Sequence, residues 1–197
     1  MFVQIIEGKT TDASGLRRQG ERWQEELRPG ATGFLGVTAG TAADGRAITV
    51  VRFESEAAAR ANSDRPEQGA WWSETEKYYD GPVSFAESSD VSEFLGGGSN
   101  DAGFVQVMKV SGADRARVDG LDDGFEKFTS VRPDLLGGFR VWTGADQYVE
   151  LAYFTSETEA RAGEQQELPE DLKVMMAELQ DIMANTEFID LVDPELH

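Results

Sequence analysis

The chain has 197 residues, with 37 Asp and Glu against 18 Lys and Arg, a net charge of −19, one His and no Cys. Without Cys there are no disulfides, thiolate nucleophiles or cysteine-held zinc and iron–sulfur centres, and the charge disfavours nucleic acid and anionic membrane surfaces as partners. At 40% apolar residues the chain can build a core, either as one large domain or as two of roughly 100 residues. The single His is His197, the last residue. Chain ends are hard to preorganise, which argues against a Ser–His–Asp triad, a His-bound metal or a His-ligated haem. The apolar run from Met1 to Ile6 is too short for a signal peptide, and no segment approaches the ~20 apolar residues of a membrane span. A cytoplasmic protein is expected.

Residues Phe2 to Ile6 read as a short strand. Asp12 or Ser14 is placed to cap a helix whose Leu16, Gly20, Trp23 and Leu27 share one face, and Arg28-Pro29-Gly30 stops it. Strands follow at 34–39 and 47–53, joined by a turn ending at Asp44-Gly45. A helical region covers 54–61, restarts at Pro66 and runs to about Tyr79. Gly81-Pro82 ends it before a strand at 83–87. The stretch Leu95-Gly96-Gly97-Gly98-Ser99-Asn100-Asp101 costs much entropy to order and buries little, so it reads as a linker. The domains are placed at 1–95 and 102–197, with 96–101 between them. The second half reads as strand 103–110, helix 113–128, strands 138–143 and 147–154, helices 156–163 and 169–184, and strand 186–191.

The two halves are copies. Phe2-Val3-Gln4 recurs as Phe104-Val105-Gln106, and Arg28-Pro29 as Arg132-Pro133. FESEAAARA at 53–61 shares six of nine residues with FTSETEARA at 154–162. The order β-α-β-β-α-β in each half is the ferredoxin-like split βαβ pattern. The strands are apolar on both sides, with Val3 and Ile5 on one and Phe2 and Ile6 on the other. Helices can cover one face and the second copy the other. The fold expected is therefore α+β, with two tandem ferredoxin-like repeats forming an intrachain pseudo-twofold barrel.

With the FxSExxARA segments, the Trp71-Trp72 helix and the closing strands around Phe85 and Phe188, the chain resembles the dimeric α+β barrel superfamily. Within it, the chain resembles a tandem, actinobacterial type of antibiotic-biosynthesis-monooxygenase-like protein. The resemblance implies a small-molecule protein akin to cofactor-independent monooxygenases, with an apolar aromatic or quinol-like ligand and no cofactor. The haem-using branches place a His on the iron, and this chain has no internal His. The monooxygenases line an apolar pocket with Asn, Trp and Tyr, so the resemblance assigns a catalytic role to Asn62, Trp72 and Tyr79. The second half has Gly163, Met175 and Ile182 at those places. Whether any reaction is catalysed stays open. The other reading is a non-catalytic binding or scaffold protein with a filled barrel. Fusion of the copies makes a monomer with an internal pseudo-dimer, or a homodimer, the expected states.

The residues themselves leave each candidate two readings. Trp72 and Tyr79 fall on Met175 and Ile182 of the second copy and so face the sheet, as pocket lining or as core. Trp71 and Tyr78 match Val174 and Asp181, a more peripheral face. Gln4 and Gln106 sit mid-strand and either hydrogen-bond across the pseudo-twofold axis or hold a ligand. Arg52, like Arg140 and Glu150, either binds a ligand group or forms an ion pair. Asn62-Ser63-Asp64-Arg65-Pro66 is also what a break between two helices requires. Asp119, Asp122 and Asp123 lack calcium-loop spacing and read as a solvated face, and no metal site is expected.

Overall fold

A computed structural model describes residues 1–121, 127 and 131–197. Two compact units result: residues 1–89 together with 193–197, and residues 90–192.

The first unit runs β1 (Phe2–Lys9), α1 (Ala13–Arg22), β2 (Phe34–Thr41), β3 (Arg46–Phe53), α2 (Glu56–Ser63), α3 (Pro66–Thr75) and β4 (Ser84–Ser88). The second runs β5 (Val91–Phe94), β6 (Phe104–Ser111), α4 (Arg115–Asp119), β7 (Leu135–Trp142), β8 (Gln147–Phe154), α5 (Glu157–Glu164), α6 (Glu170–Ile182) and β9 (Thr186–Val192). The strand β10 (Glu195–Leu196) closes the chain and belongs to the first unit. Both sheets are antiparallel and five-stranded, in the orders β10-β2-β3-β1-β4 and β5-β7-β8-β6-β9. The α+β, two-repeat reading holds, and each ferredoxin-like sheet gains a fifth strand that the sequence did not announce. Val91–Phe94 pairs with β7, and Glu195–Leu196 pairs with β2.

Local chemistry explains the shared pattern. The Ser of each FxSE segment is a helix cap: Ser55 Oγ accepts from Ala58 N–H at 3.2 Å, and Ser156 Oγ accepts from Glu159 N–H at 3.2 Å. Asp12 caps α1 by accepting from Gly15 N–H at 2.8 Å. Both copies carry a bulge at the same place, between Phe34 and Gly36 and between Leu135 and Gly137. In the first unit Phe2, Phe53 and Ala59 pack under α2, and Trp23, Leu27 and Ala31 pack with Phe34 and Trp71. In the second, Phe104, Met108, Ala152, Phe154 and Ala160 form the matching core. Of the expected helix 113–128, α4 is described, while Asp122 and Asp123 lie outside the described residues. Among the described residues no helix is long and apolar enough to cross a membrane.

Candidate functional site

One face of the first sheet is hollow. Strand alternation puts Gln4 and Ile6 of β1, Ala39 and Thr41 of β2, and Ala47 and Thr49 of β3 toward the helices. Between them and α1 and α3 lies a cavity of about 370 Å³. The second repeat shows why it exists. The pair Ala39–Thr49 corresponds to Arg140–Glu150, and Thr41–Ala47 corresponds to Trp142–Tyr148. Small side chains in one copy thus stand where the other has large ones. In the second unit Arg140 and Glu150 form a buried ion pair, with Nε and Nη2 each 2.8 Å from Glu150 Oε2. Trp142 and Tyr148 pack edge to face with centroids 5.1 Å apart.

Aromatic rings wall the cavity. Trp72 lies 5.3 Å from Phe85 and 6.2 Å from Tyr79, centroid to centroid. Phe85, on the edge strand β4, is 60% exposed and forms the rim. Tyr79 packs on β1 because Gly8 has no side chain: a Cβ there would meet the Tyr79 ring at 2.6 Å. The phenol is hydrogen-bonded to Thr49, yet burial, and more weakly the charge of Glu195, pushes its pKa up to about 12. Tyr79 is therefore protonated at neutral pH. Trp71, expected on a peripheral face, also reaches the cavity. Its Nε1–H donates to the Gln19 carbonyl at 2.9 Å, which fixes the ring on α1.

Of the residues singled out in the sequence, Asn62, Trp72, Tyr79 and Gln4 line this cavity, whereas Arg52 and Gln106 do not. Asn62 is buried at the end of α2 and its Oδ1 accepts from Arg65 Nη1 at 3.0 Å. Arg52 falls on the opposite face of β3 from Val51 and Phe53 and packs against Gly36. Each mid-strand glutamine is satisfied within its own sheet. Gln4 Nε2 donates to Glu87 at 2.8 Å, and Glu87 binds Arg60. Gln106 Nε2 donates to Asp190 at 3.0 Å, and Asp190 binds Arg161. The same relay of amide, carboxylate and guanidinium is built in both copies.

The segment 193–197 supplies what sequence reasoning missed. Asp193 turns the chain at φ 50°, and Arg17 Nη2 donates to its carbonyl at 2.9 Å. Leu196 then pairs with Thr38, and His197 exchanges hydrogen bonds with Val37 at 2.8 and 3.1 Å. The expectation that His197 is unanchored is thereby corrected, because two backbone bonds hold it. With period-two alternation Glu195 and His197 both line the cavity. Glu195 rests over Gly20, where a Cβ would come within 2.5 Å of its Oε2. Burial, helped by Glu21 and opposed by Arg17, raises the Glu195 pKa. Burial and the charge of Arg28 lower that of His197, leaving it neutral at pH 7.

A stability effect follows from Glu195. A carboxyl with a raised folded-state pKa favours the protonated form, so its contribution is present below the unfolded-state value and is lost as pH rises through the folded one. Glu195→Gln mimics the protonated form. It is expected to match or exceed the wild type in stability at pH 8, with the difference shrinking toward pH 4. Urea unfolding at both pH values checks this, and a clear loss of stability at pH 8 alone would contradict it.

No protein-family model and no curated protein matches the sequence. Solved structures do match. A candidate monooxygenase from Lactobacillus acidophilus superposes with a TM-score of 0.74 at 11% identity, covering 99% of this chain and 94% of its own. A second, from Fusobacterium nucleatum, gives 0.75 at 10% identity, covering 100% and 93%. An anthrone oxidase-like protein gives 0.60 at 12% identity, covering 99% and 93%. At these identities the likeness establishes the fold: the chain has the α+β fold of ferredoxin-fold proteins related to antibiotic-biosynthesis monooxygenases.

Proposed function

We propose that the first unit binds a flat, uncharged aromatic molecule of quinol or anthrone type and oxidises it with dioxygen as the sole oxidant. The observation that carries this reading is the cavity itself, hollowed by Ala39, Thr41, Ala47 and Thr49 and walled by Trp72, Tyr79 and Phe85. Rings of this kind offer stacking and edge contacts to a planar ligand. Among the described residues no Lys or Arg lines the cavity, so an anionic ligand finds no counter-charge in its wall. Haem is a poor fit for the same reason, since its propionates would be desolvated without partners.

For an anthrone-type ring the balance is simple. A ring CH2 and O2 become a ring C=O and water, so the substrate supplies all the electrons. The protein's part is to exclude water, orient the ring and manage protons. Tyr79, protonated at neutral pH, donates a hydrogen bond to a ligand oxygen. The second unit, with Arg140, Glu150, Trp142 and Tyr148 filling the corresponding space, fits the other reading of a packed structural copy.

Titration with anthrone, quinols and other flat aromatics, followed by tryptophan fluorescence, tests the reading. Saturable quenching is expected in the wild type and is expected to weaken at least about tenfold in Trp72→Phe, a loss of about 1.4 kcal/mol. Oxygen uptake with the ligands that bind then reports turnover. Absence of saturable quenching across the panel would overturn the proposal.

A further inference from the structure

Oxidation of a carbon acid by dioxygen through its carbanion begins with loss of a proton, and among the described residues the cavity offers three titratable side chains for it: Tyr79, Glu195 and His197. Tyr79 keeps its own proton. Burial, and after it the charge of Arg28, makes the His197 imidazole a weaker base. Glu195 is the single carboxylate in the wall among the described residues. Among the described residues no hydrogen bond or ion pair within 4 Å engages its oxygens, and the nearby Arg17 guanidinium is committed to the Asp193 carbonyl. Gly20 leaves room for the carboxylate on α1, and pairing of β10 with β2 fixes its strand.

On the basis of the function proposed above, we infer that the Glu195 carboxylate is the base of this site and that its substrate is a weak carbon acid, an aromatic ring system with an enolisable CH2. The carboxylate takes one proton from the CH2, and the electron pair stays on the carbon, spread over the ring and its carbonyl. That carbanion is oxidised by dioxygen, and a C–O bond forms to give a peroxide. Glu195 returns the proton to the peroxide. The O–O bond then breaks as the carbon loses its second hydrogen, leaving C=O and water. Burial serves this role, because a carboxylate kept from bulk water is a stronger base than an exposed one. The base thus comes from residues 193–197 and not from the repeat that forms the rest of the cavity.

The test separates proton abstraction from oxidation. Wild type, Glu195→Gln, His197→Gln and Gly20→Ala are incubated anaerobically with anthrone in D2O. Exchange of the CH2 protons is followed by NMR, and anthrone binding by tryptophan fluorescence. The expected result is anthrone binding by the wild type and by the variants, with protein-catalysed exchange reduced about 100-fold in Glu195→Gln and by much less in His197→Gln, which alters the wall but keeps the carboxylate. Gly20→Ala, which keeps the carboxyl but displaces it, is expected to lose exchange by several fold. Exchange in Glu195→Gln equal to the wild type, loss of exchange in His197→Gln alone, or binding without exchange in the wild type would overturn the role of Glu195 and leave the proposed binding function standing. No anthrone binding by the wild type would overturn the inference at its premise.

Discussion

Glu150→Ala is expected to lower the melting temperature of the second unit by more than about 10 °C, the consequence of roughly 3–5 kcal/mol lost when one partner of a buried ion pair is removed. The side chains of Arg140 and Glu150 are 1% and 5% exposed, and the guanidinium lies over the Tyr148 ring at 5.1 Å. Truncating Glu150 leaves the guanidinium in a dry interior without its carboxylate. Replacing both residues, as Arg140→Met with Glu150→Leu, is expected to melt close to the wild type, because removing the pair together also removes its desolvation cost. Thermal melts of the three proteins decide it. A Glu150→Ala protein that melts with the wild type would show that water or another group relieves Arg140, and the packed reading of this unit would fall. Ligand quenching at Trp72 is expected to persist in the double variant, since the pair belongs to the second unit.

The repeats and their β-α-β-β-α-β order were legible because long strands and helices impose periods of two and 3.6 on the chain, and because Ser55 and Ser156 mark the same cap twice. The two added strands were not. Val91–Phe94 and Glu195–Leu196 are too short to show alternation, and their partners lie far away in sequence. Glu195 in particular carries no signal of its own in the sequence, since nothing local shows that a turn at Asp193 lays it against Gly20. The hollow was written in the sequence but called for a comparison of side-chain volume between the copies. At a constant offset of 101 residues Ala39, Thr41, Ala47 and Thr49 correspond to Arg140, Trp142, Tyr148 and Glu150. Identity between the copies marks the shared fold, and these differences mark where, among the described residues, the first copy is open and large side chains stand in the second. Asn62, Trp72 and Tyr79 were singled out by residue type and resemblance, and the structure places all three at the cavity wall.

That volume difference supplies its own experiment. Ala39 stands mid-strand in the cavity wall, paired with Thr49 on one side and Glu195 on the other. Its counterpart in the second unit is Arg140, the largest of the fully buried side chains there. Ala39→Leu puts apolar bulk into the space a ligand would use without burying a new polar atom. Filling a pre-existing hollow removes the strain that makes overpacking costly in a close-packed core. The variant is therefore expected to melt at or above the wild-type temperature. Ligand binding is expected to weaken by at least about 30-fold, about 2 kcal/mol, read as loss of saturable tryptophan quenching. A variant that is stable and binds as well as the wild type would place the ligand elsewhere, and Trp72 would then be reporting a surface contact. A variant that is stable and no longer binds ties the hollow of the first unit to ligand binding through the small side chains that its sister copy replaces with large ones.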